Sequence, residues 1–237
     1  MISFQKTLFF TIQILINQIL MFAFMGIEEK LPFEKRRGRI IGRVGPMFSG
    51  KSSEIMRLIE RRQIALRNSG RFDEYSIVPF RPRKDDRYTE ADEIVTHSGK
   101  KLRAVLFDHS YEIRDYVDSL EKDPDSVYIS EIIFTDSGII DHIKYFTEKG
   151  INVFYEGLNQ TSEGIPFPFT DYEKTGEHIG TLMALSDDLQ TLDAVCTTCG
   201  SDHASKTTYK GGKKDVIKVG GAEDYSADCI DCWVPNS

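Results

Sequence analysis

Cysteine is scarce in this sequence, and its distribution is uneven. The chain of 237 residues has four cysteines, and all of them lie in its last quarter. This distribution argues against a secreted scaffold held together by disulfides and favours a reducing compartment. The sequence also has no internal repeat and no low-complexity tract.

Basic residues are in short supply as well. The chain has 30 Lys and Arg against 37 Asp and Glu, which gives a formal net charge of −7. Because duplex affinity rests on phosphate neutralisation by Lys and Arg, we expect no nucleic-acid partner. A local loop can still bind a small anionic ligand against this global charge. With 40% hydrophobic residues, the length allows one α/β core and a small appendage.

A phosphate-binding motif lies near the start of the predicted core. Residues 45–52 read Gly-Pro-Met-Phe-Ser-Gly-Lys-Ser and fit G-x-x-x-x-G-K-[ST] in full. They follow the short β-type run at 40–44 and precede a predicted helix over 52–68. In this arrangement backbone N–H groups and a helix N-terminus surround a polyphosphate. Lys51 would reach the terminal phosphates and Ser52 would hold Mg²⁺. The alternative is an accidental match in a surface turn, which the flanking pattern disfavours.

The cysteines form two C-x-x-C pairs, Cys196 with Cys199 and Cys229 with Cys232. Each pair holds two thiolates on one tight turn, and two such turns close a tetrahedral Zn²⁺ site. Disulfides are the competing interpretation. Because four thiolates leave no open coordination position, the predicted zinc is structural. It would contribute folding free energy to the small domain around it.

Between the two motifs, strand and helix patterns alternate. The predicted strands cover residues 75–80, 127–130 and 151–155, and the predicted helices cover residues 111–120 and 138–149. This alternation predicts a parallel sheet covered on both faces. Ligands bind at the carboxyl ends of such strands, where Gly45, Glu131 and Gly157 are expected.

The N-terminal segment permits several interpretations. Residues 7–26 carry no charge and are rich in Leu, Ile and Phe, so they fit a signal peptide or a single membrane span. Polar residues such as Gln13 and Asn17 interrupt the run, and Met21 and Met25 offer later starts. An assigned start upstream of the true one is the third alternative.

An ordered set of short matches resembles the thymidine kinase family typified by the human cytosolic enzyme, over residues 39–232. In chain order they are the loop at 45–54, Lys-Asp-Asp-Arg-Tyr at 84–88, Thr96-His97, Glu131 with Phe134, Gly157-Leu158, Pro166-Phe167, the run at 192–199 and the run at 219–225. The resemblance implies an α/β fold with a parallel-sheet P-loop nucleotide-binding domain at residues 39–190. A small zinc-ribbon domain with a closing loop would follow at 191–237, and residues 1–38 would be an extension.

The resemblance also implies roles for individual residues. Glu131 would be the general base for the nucleoside 5′-hydroxyl, Arg87 would steady phosphate charge, and Asp85 or Asp86 would lie near the metal. ATP and Mg²⁺ would bind at Gly45, Pro46, Met47, Phe48, Ser49, Gly50, Lys51, Ser52, Ser53 and Asp85. The thymine ring and sugar would contact Met47, Phe134, Leu158, Phe167, Thr207, Val216, Val219 and Tyr225.

Two departures from the family pattern affect the predicted site. Ser130 stands where the family has an Asp directly before its catalytic Glu, and Asn159 stands where the family has an Asp. Because Ser130 brings no negative charge, Mg²⁺ binding should weaken unless Asp85 or Asp86 compensates.

The predicted function is ATP-dependent phosphorylation of thymidine by a cytoplasmic enzyme with bound Zn²⁺, forming a homo-oligomer, a tetramer by family resemblance. The alternative is a catalytically weakened relative that binds nucleotide and acts as a regulatory or assembly subunit. A P-loop ATPase whose zinc ribbon contacts nucleic acid is disfavoured by the acidic balance. A membrane would be a partner only if the N-terminal apolar segment is genuine.

Overall fold

A computed structural model describes residues 37–73, 76–85, 92–95, 99, 101–211 and 220–235 of the chain. The apolar segment at residues 7–26 lies outside these ranges, so its three interpretations stay predictions. Within the described ranges, no helix is long and apolar enough to cross a membrane.

Ten strands make up the β-structure of the described residues. They are β1 (Ile40–Val44), β2 (Ile77–Pro82), β3 (Glu93–Val95), β4 (Lys101–Arg103), β5 (Val105–Phe107), β6 (Ser126–Ile129), β7 (Asn152–Gly157), β8 (Asp188–Thr191), β9 (Lys206–Tyr209) and β10 (Tyr225–Asp228). Six of them form one sheet in the order β5-β2-β6-β7-β1-β8, and every pairing in it is parallel. The predicted α/β class with a parallel sheet is therefore confirmed.

Helices connect these strands. They are α1 (Lys51–Asn68), α2 (Ser110–Asp118), α3 (Ile139–Glu148), α4 (Tyr172–Thr175) and α5 (Ile179–Leu185), with a 3₁₀ turn at Ile132–Phe134. Parallel strands need such crossover connections, because a short hairpin can join only antiparallel strands.

Two apolar cores lie on the sheet, because side chains alternate between its faces along each strand. In β6, Val127 and Ile129 belong to the larger core, whereas Tyr128 belongs to the core that contains Ile55 and Ile59 of α1. The larger core contains the buried residues Ile113 of α2 and Ile139, Ile143 and Phe146 of α3.

Element boundaries differ from the predicted ones by one or two residues. The predicted strand at 75–80 is Ile77–Pro82, and the predicted helix at 111–120 is Ser110–Asp118. That helix begins earlier because the Asp136 carboxylate accepts hydrogen bonds from the Ser110 amide (2.9 Å) and hydroxyl (2.5 Å). This cap from 26 residues away adds to a local one, in which the Glu112 carboxylate accepts a 3.2 Å hydrogen bond from the His109 amide.

A small separate β-structure surrounds the cysteines. Strands β9 and β10 pair antiparallel, and the cysteines at 196 and 229 pack with three alanines in their own small core. This agrees with the predicted zinc ribbon. The predicted domain boundaries at 38/39 and 190/191 stay predictions.

Candidate nucleotide site and cysteine cluster

The phosphate-binding motif forms the turn between β1 and α1. Gly45 has a φ of +154°, and a Cβ built there would lie 2.3 Å from the Leu192 carbonyl oxygen, so no side chain fits. Gly50 is in the left-handed region with a φ of +79° and directly precedes α1. The other residues predicted to bind the cofactor, Pro46, Met47, Phe48, Ser49, Lys51, Ser52 and Ser53, follow one another through this loop and into the first turn of α1.

Lys51 is held within the loop. Its side chain is 6% exposed, and its Nζ donates a 2.7 Å hydrogen bond to the Pro46 carbonyl oxygen. The Ser49 hydroxyl donates to the same oxygen at 2.9 Å. The ammonium group therefore lies against the loop backbone at the N-terminus of α1, where both the charge and the helix dipole favour an anion.

Glu131 follows β6 at the carboxyl edge of the sheet, as predicted. It has left-handed backbone angles, φ +44° and ψ +52°, which are rare for a residue that is not glycine. Such strain costs of order 1–3 kcal/mol and persists only where the surrounding structure imposes it, often at functional sites. The side chain is 9% exposed.

Glu156 is a second carboxylate at this edge, and the sequence analysis assigned it no role. It precedes Gly157 at the end of β7 and is fully buried. Its Oε1 accepts hydrogen bonds from the hydroxyls of Ser130 (2.8 Å), Ser52 (3.2 Å) and Tyr128 (3.2 Å). A carboxylate inside an otherwise apolar strand, directly before a strand-ending glycine, was the available sequence signal.

Four neighbouring groups affect the pKa of Glu156: Glu131, Lys51, Ser130 and Ser52. The pKa of Glu156 is raised to about 7, because burial and the negative charge of Glu131 outweigh the opposing effects of Lys51 and the hydroxyls of Ser130 and Ser52. Burial also raises the pKa of Tyr128, and the charge of Glu156 adds to that effect. Glu131 and Lys51 are thus both close enough to Glu156 to affect its charge.

Several residues predicted to contact the nucleoside lie in the apolar core beside this edge. Phe134 and Phe167 are 7% and 6% exposed, and both belong to the larger core. Leu158 is partly buried and packs against the same core. Met47 is 6% exposed in the phosphate loop. Their contact with a thymine base stays a prediction.

The connection after β7 contains the second departure from the family pattern. Asn159 accepts a 3.2 Å hydrogen bond from the Phe167 amide through its carbonyl oxygen. Its side-chain Oδ1 is buried and makes no hydrogen bond within the described part of the chain. The side-chain amide of the neighbouring Gln160 donates a 2.8 Å hydrogen bond to the Ser205 carbonyl oxygen. This bond links the segment after β7 to the segment before β9.

The remaining predicted site residues lie on other elements or outside the described ranges. Asp85 is buried at 7% exposure after β2. Thr207 is buried in β9, and Tyr225 begins β10 with its ring 5.3 Å from that of Tyr209. Arg87, Asp86, Val216 and Val219 fall outside the described residues, so their predicted roles stay predictions.

The four cysteines converge. The Sγ atoms of Cys196, Cys199, Cys229 and Cys232 all lie within 4.8 Å of one another, and all four cysteines are free. The sulfurs of Cys199 and Cys229 are 3.7 Å apart, close to the edge of about 3.8 Å that Zn–S bonds of about 2.3 Å give in a tetrahedron. The donor set and spacing therefore fit a metal ion such as zinc.

Asp228 is buried and lies beside this cluster. Its carboxylate accepts hydrogen bonds from the hydroxyls of Thr198 (2.8 Å) and Thr208 (2.6 Å) and from the Cys196 thiol (3.6 Å). The bond from Cys196 needs the thiol proton, so it is lost when Cys196 binds a metal ion as a thiolate. Burial acts to raise the pKa of Cys196, but backbone N–H groups around it lower the pKa to about 7.

A comparison with family models agrees with this geometry. The model described as thymidine kinase matches residues 38–233, which include the phosphate loop, both buried carboxylates and all four cysteines. Because this match covers most of the 237 residues, the chain belongs to the thymidine kinase family.

Proposed function

We propose that this chain transfers the γ-phosphoryl group of ATP to the 5′-hydroxyl of thymidine, in cytoplasmic nucleotide salvage. The observation that carries the proposal is the hydrogen-bonded connection from Ser52 of the phosphate loop through the buried Glu156 to Ser130, the residue directly before Glu131. Phosphoryl transfer needs positioning and charge neutralisation more than covalent chemistry. A phosphate loop with a carboxylate at its edge meets that need.

Each polar group has a part in the proposed reaction. Glu131 accepts the proton of the 5′-hydroxyl as that oxygen attacks the γ-phosphorus. Lys51 and Arg87 neutralise the phosphate oxygens. The hydroxyl of Ser52 and a nearby carboxylate are the hard oxygen donors that Mg²⁺ prefers. When bound, Mg²⁺ neutralises the charge that the transferred group develops.

The nucleoside is proposed to bind on the apolar side of the same edge. Phe134, Leu158 and Phe167 supply the apolar contacts, with Met47 closing the pocket from the phosphate loop. Val216, Val219 and Tyr225 would bind the polar edge of the base and the sugar as the loop between β9 and β10 closes. The buried Phe134 and Phe167 in one core support a site of this apolar character.

Zinc is proposed as a structural ion in the four-cysteine cluster. The thiolates fill the four positions of a tetrahedral site and leave none for substrate. We further propose a homo-oligomer, a tetramer by the family resemblance, which light scattering on the purified chain would test.

A second function is favoured by two observations on this chain. Ser130 carries no charge where the family has an Asp, and the Asn159 amide oxygen is buried without a hydrogen bond in the described residues. Both departures fit a catalytically weakened relative that binds nucleotide and acts in regulation or assembly.

One assay separates the two functions. Purified protein is incubated with ATP, Mg²⁺ and a panel of nucleosides, and product formation and ATP binding are measured in parallel. Thymidine-dependent ADP formation supports the kinase. Tight ATP binding with no phosphorylation of any nucleoside on the panel supports the weakened relative, and failure to bind ATP overturns both.

A further inference from the structure

The two carboxylate oxygens of Glu156 differ in their hydrogen bonds. Oε1 accepts three of them, and Oε2 accepts none within the described residues. Three hydroxyls donate to Oε1, although a carboxylate oxygen has only about two lone-pair sites. Oε2 is buried and makes no hydrogen bond within the described part of the chain. A buried carboxylate oxygen left unpaired costs on the order of 1–3 kcal/mol or more. A purely structural role for Glu156 does not explain this uneven arrangement.

The position of Glu156 places its carboxylate beside the phosphate loop. Glu156 lies in β7, in register with Arg43 of the neighbouring β1, whose last residue, Val44, directly precedes the phosphate loop. Its Oε1 is hydrogen-bonded to Ser52, the motif hydroxyl that holds Mg²⁺ in phosphate loops. In P-loop enzymes a carboxylate on a nearby strand completes that metal site.

The same position explains how the chain tolerates Ser130. The Ser130 hydroxyl, one residue before Glu131, is 2.8 Å from Glu156 Oε1. The carboxyl group that is absent after β6 therefore has a counterpart on the adjacent strand β7, at hydrogen-bond distance from the uncharged serine.

From these contacts we propose that Glu156 is the carboxylate that, with Ser52, holds the Mg²⁺ of the bound nucleotide, and that it takes the place of a charge absent at Ser130. Mg²⁺ binds through one or two carboxylates, substrate phosphates and retained waters, and the unpartnered Oε2 supplies the protein's share. This inference rests on the nucleotide binding of the proposed function, but not on thymidine as the acceptor.

The test compares nucleotide affinity with and without metal. The full chain is titrated with ADP by calorimetry in Mg²⁺ and in EDTA, and Mn²⁺ bound with ADP is counted by electron paramagnetic resonance. Glu156→Gln keeps the shape and the acceptor at Oε1 but removes the charge. We expect it to weaken Mn²⁺ binding by about 10–100-fold, with metal-free ADP affinity equal to or above that of the wild type.

Two further variants make the result specific. Glu148→Gln removes one negative charge from α3, where Glu148 forms an exposed ion pair with Arg37, so it should leave Mn²⁺ binding unchanged. Ser130→Asp combined with Glu156→Gln returns a charge to the neighbouring strand and should recover Mn²⁺ binding. A structural role for Glu156 predicts neither the loss nor the recovery.

A second measurement needs no variant, in case Glu156→Gln does not fold. In crystals of the wild-type chain with ADP and Mn²⁺, the anomalous signal of Mn²⁺ should lie within about 4.5 Å of the Glu156 carboxylate, a direct bond or one bridging water. The proposal is overturned if a folded Glu156→Gln keeps wild-type Mn²⁺ affinity, or if the ion lies beside Asp85 instead. Metal-dependent ADP binding without phosphorylation of thymidine would contradict the proposed thymidine kinase activity but would still agree with the role proposed for Glu156.

Discussion

The amide nitrogen of Met47 donates a 3.0 Å hydrogen bond to the hydroxyl of Thr207. Met47 lies in the phosphate loop, and Thr207 lies in β9 beside the cysteine cluster; they are 160 residues apart. Both are buried, at 6% and 2% exposure. This bond connects the backbone of the phosphate loop with the β-structure that contains the cysteine cluster.

Thr207→Val tests this connection. Valine keeps the shape and removes the hydroxyl, so the buried Met47 amide loses its acceptor, at a cost of about 1–3 kcal/mol. We expect urea denaturation to detect a loss of stability of this size, and calorimetry to detect weaker ADP binding as the loop loosens. Thr207→Ser keeps the hydroxyl and should retain both properties. Wild-type ADP affinity in a folded Thr207→Val would show that this contact does not shape the loop.

Metal removal should affect both the β9–β10 region and the phosphate loop, because the bond between Thr207 and Met47 joins them. We expect about one Zn²⁺ per chain by elemental analysis, and Cys196→Ser should release it and disorder the β9–β10 region. Because Thr207 lies in that region, ADP affinity should fall with the zinc. Asp202→Asn, at an exposed position between the two C-x-x-C pairs, is the control that should keep both. A metal-free protein with two disulfides would contradict the assignment.

Lys51→Ala tests the phosphate loop itself. The variant removes the buried ammonium that lies against the Pro46 carbonyl, so we expect weaker ATP binding and a loss of several kcal/mol of transition-state stabilisation, as when one preorganised donor is removed. The measurement is kcat/KM for ATP. Lys144→Ala removes an exposed lysine of α3 and serves as the control. A near wild-type kcat/KM would refute the assignment.

The elements that have a clear local sequence pattern could be predicted. The β6 run Val127-Tyr128-Ile129 is apolar and buried, so its strand character is local. Strand β8 (Asp188–Thr191) is different, because it is a polar strand at the sheet edge. Its pairing with β1 stabilises it, and no local pattern indicates that pairing.

The candidate site shows the same division. The phosphate loop and the cysteine pairs could be found because their residues are adjacent in sequence. Glu156 could not be assigned a role, since its importance depends on Ser52 and Ser130, which are 104 and 26 residues away. The expectation that Asp85 or Asp86 would compensate for the missing charge came from the family resemblance and stays a prediction, whereas the contacts of Glu156 across strands cannot be read from the sequence.

The ion pair between Arg62 and Asp125 makes stability depend on pH. Nε and Nη2 of Arg62 donate to the two carboxylate oxygens at 2.7 and 2.5 Å. Burial acts to raise the pKa of Asp125, but the hydrogen bonds from Arg62 and Ser126 outweigh it, so the pKa lies below the ordinary value of 3.8. The stabilisation is therefore fully present above about pH 4 and is lost as pH falls through the lower folded-state pKa.

Asp125→Asn should accordingly destabilise the protein by about 1–2 kcal/mol at pH 7, allowing for partial solvent screening of Arg62. Urea denaturation between pH 7 and pH 3 should show this difference narrowing below about pH 4. Any acid release of zinc acts on both proteins and cancels in the comparison. Asp141→Asn, in an exposed pair with Lys144, should cause no measurable change. A difference that is constant down to pH 3 would contradict the assigned pKa.

Glu131→Gln separates a kinase from a nucleotide-binding relative. Glutamine has the same shape and accepts the same left-handed backbone, which is already imposed on a residue with φ +44°, so the 3₁₀ turn after it should survive. The change removes only the basicity of the carboxylate. If Glu131 accepts the proton of the 5′-hydroxyl, kcat should fall by roughly a hundredfold or more, measured as thymidine-dependent ADP formation. Thymidine affinity by calorimetry should change little, because ground-state binding does not use the base.

The control for this variant is Glu148→Gln in α3, whose exposed side chain pairs with Arg37 and which should keep the wild-type kcat. An unchanged kcat in Glu131→Gln would remove the general base from the mechanism. An inactive wild type that still binds ATP would favour the weakened relative. In that case Ser130→Asp is the informative change, because activity that returns with it identifies the missing charge as the cause, and continued inactivity locates the defect elsewhere in the pocket.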